Sequence, residues 1–197
     1  MPKAIFVKKA QKPNGVVSQE DIDRANNPKE PGDETAASYW HWSMKTTYGS
    51  VKRQSKRRPR PSQMTLSEFW GNVLSLQEEA EDASPDFDDL ESWRDEIAGR
   101  AREIGEECRE KFENMPEGLQ QGSTGELLEQ RADSCEGVAD EIEGIDVPSE
   151  DDFDQDEPED KDGEEHQEWE EALDNWKQEE VDRVREDVVG ALSGIEG

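Results

Sequence analysis

Residues 90–112 read LESWRDEIAGRAREIGEECREKF, and their apolar side chains recur at intervals of three and four residues. A second run with this spacing begins at Leu128 and ends at Ile145. Such spacing places a narrow apolar stripe along one side of each of two long helices. Because a stripe this narrow is not buried by its own helix, we expect the two helices to pack together as an antiparallel hairpin.

Charge is divided unevenly along the chain. Residues 1–62 hold thirteen Lys and Arg against six Asp and Glu, whereas residues 63–197 hold ten against forty-six. Adaptation to high salt would acidify the entire surface. The basic N-terminal third therefore argues against such adaptation as the cause of the negative net charge. No apolar run approaches the roughly eighteen residues that cross a bilayer. We therefore expect a soluble, cytoplasmic protein with no membrane partner.

Composition and periodicity predict four segments. Residues 1–62 are predicted to form a basic β-hairpin element and linker, and residues 63–145 a helical hairpin or small bundle. Residues 146–164 are strongly acidic and nearly devoid of apolar side chains, so we expect a disordered linker. Residues 165–197 are predicted to form an amphipathic helix that closes the bundle or docks on another protein. The predicted fold class is mainly α with a small N-terminal β-hairpin.

The predicted hairpin spans Ser38–Ser55. Residues 39–45 read YWHWSMK, an alternation typical of a strand whose tryptophans and methionine form one packing face. A turn is predicted at Tyr48–Ser50, and the hairpin is expected to lean on a short strand at Ile5–Val7 or on the helices. Residues 11–35 are predicted to be a loop, with one helical turn after Ser18.

Helix ends are predicted from capping signals. The first helix is expected to run roughly from Leu66 to Glu81, and the second to begin near Phe87. Ser123 has the spacing of a capping box and is predicted to open the third helix. Gly137 and Gly144 weaken that helix or permit a close helix contact.

Reactive groups that an enzyme needs are scarce. His41 and His166 lack the spacing to Cys108 and Cys135 that a zinc site requires. Both cysteines fall on the apolar stripes, so we expect them to be buried and reduced rather than joined in a disulfide. We expect no enzymatic activity, no metal and no cofactor.

The acidic helices are the first candidate interaction surface. Helices that hold Asp and Glu at fixed spacing imitate the charge of a DNA backbone and fit a basic groove. The alternative is that this charge only keeps a thin helical protein soluble. The candidate residues are Asp95, Glu103, Glu106, Glu110, Asp133, Glu136, Asp140, Trp169 and Trp176.

A basic cluster beside the aromatic strand is the second candidate surface. Positive charge supplies affinity for phosphate, and aromatic rings stack on unpaired bases. Two alternatives stay open: the cluster is a solvated linker beside tryptophans that belong to the core, or it docks on the acidic remainder of its own chain. The candidate residues are Tyr39, Trp40, Trp42, Lys52, Arg53, Lys56, Arg57, Arg58 and Arg60.

Three segments carry a family resemblance: Tyr39–Trp42 (YWHW), residues 55–69 (SKRRPRPSQMTLSEF) and residues 114–131 (NMPEGLQQGSTGELLEQR). They resemble a family of small proteins encoded by bacteriophages and related mobile elements. The resemblance covers about a third of the chain and excludes the acidic segment and the last helix. It implies a phage-type accessory protein, without an activity or site residues.

These observations favour a non-enzymatic interaction protein whose acidic helices bind a basic partner, as a DNA mimic or inhibitor of a host DNA-handling or defence protein. One alternative is a nucleic-acid-binding accessory protein that acts through residues 39–60. Another is a virion or assembly component, which would place the protein in the particle as well as in the host cytoplasm. Association of copies through the helices is left open.

Overall fold

A computed structural model describes residues 2–158 and 163–196. Helices account for 59% of the chain and a small antiparallel sheet lies near the N-terminus, so the predicted fold class is confirmed. The chain divides into an N-terminal unit, Met1–Leu74, and a C-terminal unit, Ser75–Gly197. The boundary falls inside helix α2 (Glu68–Asp82), later than the predicted boundary after Ser62. The predicted bounds of that helix, Leu66–Glu81, are within two residues of those observed.

The sheet of the N-terminal unit has three antiparallel strands in the order β1 (Ile5–Val7), β2 (Tyr39–Thr46) and β3 (Gly49–Ser55). The short strand β1 therefore supports the hairpin, as the sequence predicts. Pairing along β2 and β3 ends where Thr46 lies opposite Gly49.

The hairpin turn consists of Thr47 and Tyr48, one residue earlier than predicted. Gly49 has a φ of 143°, a backbone conformation that side chains other than glycine rarely adopt. The glycine therefore opens the return strand and does not occupy the turn itself. On the packing face of β2, Trp42 and Met44 are each only 5% exposed, so that part of the prediction is confirmed.

The predicted loop at residues 11–35 contains a helix, α1 (Gln19–Asn26). Its start is a complete capping box, because the Ser18 hydroxyl accepts from the Asp21 amide and the Asp21 carboxylate accepts from the Ser18 amide. A single turn was too short a prediction, because the buried side of this helix belongs to a small core. That core consists of Ala10, Val17, Ile22, Ala25 and Ala37.

The C-terminal unit is built on α3 (Leu90–Glu113) and α5 (Ser123–Glu143), which pack against each other as the predicted hairpin. A 3-10 turn at Phe87–Asp89 precedes α3, close to the predicted start. Eight buried side chains of the hairpin fall on the predicted stripes: Leu90, Ile97, Ala101, Ile104, Cys108, Cys135, Val138 and Ile142. Three buried alanines lie off those stripes (Ala98, Ala132 and Ala139), and four predicted stripe residues are only partly buried (Trp93, Phe112, Leu128 and Ile145).

The connection between these helices differs from the prediction in two ways. It contains a short helix, α4 (Glu117–Gln120). Gly122, not Ser123, is the N-cap of α5, and no side chain caps this end. Ser123 is already helical, so its spacing to Glu126 resembles a capping box without forming one.

The close contact between α3 and α5 is made at Gly105, not at the glycines singled out from the sequence. A Cβ atom at Gly105 would lie 3.0 Å from the Ala132 carbonyl oxygen and 3.0 Å from the Cys135 Cβ atom. Nothing lies within 4 Å of the corresponding position at Gly137. Gly144 is the C-cap residue of α5. The absence of a side chain at Gly105 therefore lets the helices approach at this point.

Both cysteines are buried in the hairpin and not joined in a disulfide, as predicted. Burial, followed by the neighbouring Cys108, raises the pKa of Cys135 to about 11. The Cys135 thiol is therefore protonated at neutral pH, and protonated thiols are poor nucleophiles. It serves as a small apolar side chain of the helix contact.

Helix α6 (Glu164–Leu192) packs against α3 and α5 and completes the bundle. Its buried side chains are Val181, Val184, Val188, Ala191 and Leu192. In addition, the side-chain amide of Gln77 in α2 donates to the carbonyl oxygen of Leu192 at 2.8 Å. The last helix is therefore part of the core of the C-terminal unit.

The acidic segment predicted to be disordered has a defined conformation over residues 146–158. Ser149 caps a 3-10 turn at Glu150–Asp152, and the Phe153 ring contacts Trp169 and Trp176 of α6. Composition underestimated this segment because one aromatic ring anchors an otherwise polar stretch. Residues 159–162, which the same prediction covers, lie outside the described residues.

Candidate interaction surfaces

Two arginines of α3 neutralise the edge of α5 that faces them. Arg102 binds Asp140 at 2.9 Å and Glu143 at 2.7 Å. Seven residues later, two turns further along α3, Arg109 repeats the arrangement. It binds Glu136 at 2.7 Å and Asp133 at 3.5 Å. We call this double arrangement the arginine seam.

Each arginine of the seam shifts the pKa of one of its glutamates. The Arg102 guanidinium lowers the pKa of Glu143, and the Arg109 guanidinium lowers the pKa of Glu136, in each case chiefly by donating hydrogen bonds. The same contacts raise the pKa of both arginines. All of these groups reach solvent, so the seam is a screened surface network rather than a buried one.

The solvent-facing side of α3, next to the seam arginines, carries an acidic stripe, which consists of Glu96, Glu103, Glu106, Glu110 and Glu113. Successive residues of an α-helix are rotated by about 100°, so these five positions fall within an arc of roughly 100°. All five are exposed, and the arc faces away from buried Ile97 and Ile104. The stripe extends over about 26 Å along the helix axis.

The acidic stripe is not neutralised in the way that the seam is. Among the described residues, no cation lies within 4.0 Å of the Glu103, Glu106 or Glu110 carboxylates. Like charges on neighbouring turns of one helix repel each other. Arg100 offsets part of the stripe's charge, since Glu96 and Glu103 help to raise its pKa. The stripe therefore holds negative charge that is only partly compensated, on a regular scaffold.

The predicted acidic candidates separate into three groups. Glu103, Glu106 and Glu110 lie on the stripe. Asp95 pairs with Arg94 at 2.7 Å, and Asp133, Glu136 and Asp140 belong to the seam. The two candidate tryptophans form a third group, because they contact the acidic segment of their own chain.

Trp169 and Trp176 hold the acidic segment against α6. The Phe153 ring lies 6.1 Å from Trp169 and 5.5 Å from Trp176, measured between centroids. The indole Nε1 of Trp169 donates to the Gln155 carbonyl oxygen at 3.1 Å. Lys177, one residue after Trp176, pairs with Glu150. Both rings are half-buried, so they have a structural role, and partner binding by them stays a prediction.

The basic and aromatic candidates of the N-terminal unit also separate. Trp42 is buried and donates from Nε1 to the Gln63 carbonyl oxygen at 3.2 Å, so it cannot stack on a base. Tyr39 packs against the small core beside α1. Lys56 binds Asp21 at 3.2 Å and also donates to the carbonyl oxygen of Ala36. These three side chains have contacts within the fold, and Trp42 alone of the three is buried.

Asp21 is the centre of that structural network. Its carboxylate accepts from the Ser18 amide and also binds Arg24 and Lys56. These contacts, with the Ser18 amide first, hold the pKa of Asp21 well below its usual range. The basic segment after β3 is therefore tied to the start of α1 by one of its own lysines.

The remaining basic candidates are exposed: Lys52, Arg53, Arg57, Arg58 and Arg60. Trp40 stays half-buried, and the fold brings Phe6 of β1 opposite it. The sequence predicted the strand at Ile5–Val7 but did not identify Phe6 as part of the aromatic site. Its pairing with Trp40 depends on the register between two strands that are more than thirty residues apart.

No family model, curated protein or solved structure matches the chain. Among the described residues, no three His, Cys, Asp or Glu side chains are grouped to hold a metal ion. None of the helices in the described ranges is long and apolar enough to span a bilayer. The two surfaces are therefore interpreted from their own geometry.

Proposed function

We propose that the C-terminal unit is a non-enzymatic binding module, which presents the acidic stripe of α3 to a basic protein surface. The contrast between the seam and the stripe carries this proposal. Arg102 and Arg109 compensate the carboxylates that face them on α5, whereas the stripe residues have no such partner among the described residues. A charged row on a regular helix engages a complementary surface without the ordering cost of a flexible polyanion.

The partner class follows from this chemistry. A row of carboxylates along about 26 Å of helix suits a protein with an elongated cationic groove. Grooves of that kind bind the phosphate backbone of nucleic acid, so we propose a DNA-handling protein as the target and competition with DNA as the effect. We extend the proposal to host proteins, including those that act in defence, on the sequence resemblance alone.

A capture experiment with matched variants tests the proposal. The full chain is immobilised and exposed to bacterial lysate at about physiological ionic strength. One variant carries Glu103→Gln, Glu106→Gln and Glu110→Gln. The control removes the same charge from exposed positions of α6 through Glu168→Gln, Glu171→Gln and Glu179→Gln.

We expect the wild type and the α6 control to retain the same DNA-binding protein, the stripe variant to lose it, and duplex DNA to displace it. Equal loss by both variants would show that net charge, not the stripe, governs retention. Failure of the wild type to retain any DNA-binding protein would contradict the proposed function.

A further inference from the structure

The sheet register creates an aromatic pair on the N-terminal unit. Phe6 of β1 lies opposite Trp40 of β2, with ring centroids 5.0 Å apart and planes tilted by 44°. Phe6 is 45% exposed, a large fraction for a phenylalanine in a paired strand. Trp40 packs against it and is itself half-buried, so part of the Phe6 ring is open to solvent.

Cationic side chains surround this pair. The Arg58 guanidinium lies 5.8 Å from the centroid of the Trp40 ring, within the range of a cation–π contact. Arg57 and Lys8 are exposed. The register brings them to the same end of the sheet, since Lys8 follows β1 and Arg57 follows β3.

A polar groove of about 420 Å³ begins beside the aromatic pair. Ser55, which lies opposite Trp40 in the sheet, is one of its lining residues. Arg53 and Gln54 extend the lining along β3, and Ser62 and Gln63 line it from the segment that follows. Guanidinium, amide and hydroxyl groups of this kind bind phosphate and sugar oxygens.

We propose that this end of the sheet binds single-stranded nucleic acid. One unpaired base stacks on Phe6, while Trp40 and Arg58 support the ring from behind. The adjoining phosphates contact Arg57 and, through the groove, Arg53. An aromatic platform beside a cationic groove is the combination that binds single strands without sequence preference. A duplex keeps its bases stacked internally and cannot use the Phe6 ring.

This site differs from the surface that the sequence predicts. Phe6 and the polar groove enter it, and Trp42 only lines the groove. Tyr39 and Lys56 leave it because they serve the fold. It lies entirely in the N-terminal unit, whereas the acidic stripe lies in the C-terminal unit. The proposal for nucleic-acid binding and the proposal for the acidic stripe can therefore fail independently of each other.

The test measures fluorescence anisotropy of a labelled oligothymidine with the full chain, and of a duplex of equal length, over a series of salt concentrations. Phe6→Ala removes the stacking ring at an exposed position. Arg57→Gln with Arg58→Gln removes two cations, and Lys12→Gln with Lys45→Gln removes two exposed cations outside the site as the charge-matched control. Circular dichroism checks that each variant is folded.

We expect the single strand to bind more tightly than the duplex, with roughly tenfold weaker binding for Phe6→Ala. The Arg57→Gln/Arg58→Gln variant should bind weakly and have a shallower dependence on salt, because fewer phosphates are neutralised. The control should bind like the wild type. Undetectable binding of the wild type, equal affinity for the duplex, or an unchanged affinity in Phe6→Ala would each overturn the proposal.

Discussion

The inner and outer sides of the α3–α5 hairpin are both rich in acidic residues, yet their acids do different things. Toward α5, Arg102 and Arg109 each bind two carboxylates. Away from it, the stripe of α3 is exposed and lacks such partners among the described residues. Net charge alone does not distinguish these two cases. The position of a few arginines decides which acidic residues stabilise the fold and which are available to a partner.

Substitutions on the two sides of the hairpin should differ most in their effect on the free energy of unfolding. Ile142 is fully buried in the hairpin, and Ile142→Ala is expected to cost about 2–5 kcal/mol of the free energy of unfolding. Glu106→Ala, on the stripe, should change that free energy by no more than about 0.5 kcal/mol. Urea denaturation measures both. A large loss for Glu106→Ala would mean that the stripe is structural.

Alanine substitution at two glycines of α5 should have opposite effects on the stability of the fold. A Cβ atom at Gly125 would lie 2.0 Å from the backbone oxygen of Gln120, so Gly125→Ala should destabilise the fold by about 1–3 kcal/mol. At Gly137 nothing lies within 4 Å, so Gly137→Ala should stabilise it by up to about 1 kcal/mol. Thermal unfolding of both variants provides the measurement, and effects of the same sign would contradict the packing described for Gly125.

The arginine seam should also make a smaller, pH-dependent contribution to stability, which distinguishes it from the acidic stripe. The pKa of Glu143 is lower in the folded chain than its ordinary value, chiefly because Arg102 donates to its carboxylate. Such a group adds stability above its unfolded pKa, and the contribution is lost as the pH falls through its folded pKa. Arg102→Gln should therefore lower the urea midpoint at neutral pH, by an amount that shrinks as the pH falls below about 4.

Lys12→Gln serves as the control for this pH series, because it removes one exposed positive charge far from the seam in sequence. Its midpoint should follow the wild type at every pH. If Arg102→Gln shows the same difference from the wild type at neutral and acidic pH, the seam does not contribute through its ionised carboxylates.

Periodicity predicted the hairpin well because α3 and α5 bury regular stripes, and helix positions at this spacing share one side. For α1 it predicted only one helical turn. The core beside this helix consists largely of alanine and valine. Small side chains of this kind give a weak pattern in a segment rich in proline, glycine and charge. Composition likewise missed the anchoring of the acidic segment, because Phe153 alone carries the contact to Trp169 and Trp176.

The sequence identified candidate residues in two segments, but it did not distinguish the roles of individual side chains within each segment. Charge counting identified the acidic helices and the basic arm, but it did not separate Glu136 in the seam from Glu106 on the stripe. That separation depends on which helix edge faces an arginine. Similarly, alternation placed Trp40 and Trp42 on one face of a strand, while the segment after the sheet buries only Trp42 and accepts its indole hydrogen bond at Gln63.

The position of α6 also determines how the binding surface can be tested. Val184, Val188 and Leu192 are fully buried, so a truncation that ends at Ile145 would remove part of the core together with the last helix. Substitutions at exposed carboxylates avoid this problem. They change the surface and leave the buried side chains of the bundle in place.

The most direct test of the central claim is the dissociation constant between the full chain and its purified captured partner, measured by calorimetry over a range of salt concentrations. We expect at least tenfold weaker binding for the Glu103→Gln, Glu106→Gln, Glu110→Gln variant, which corresponds to about 1.4 kcal/mol. We also expect a smaller salt dependence for this variant and little change for the α6 control. Equal affinity of the stripe variant and the wild type would contradict the claim that the acidic stripe is the recognition surface.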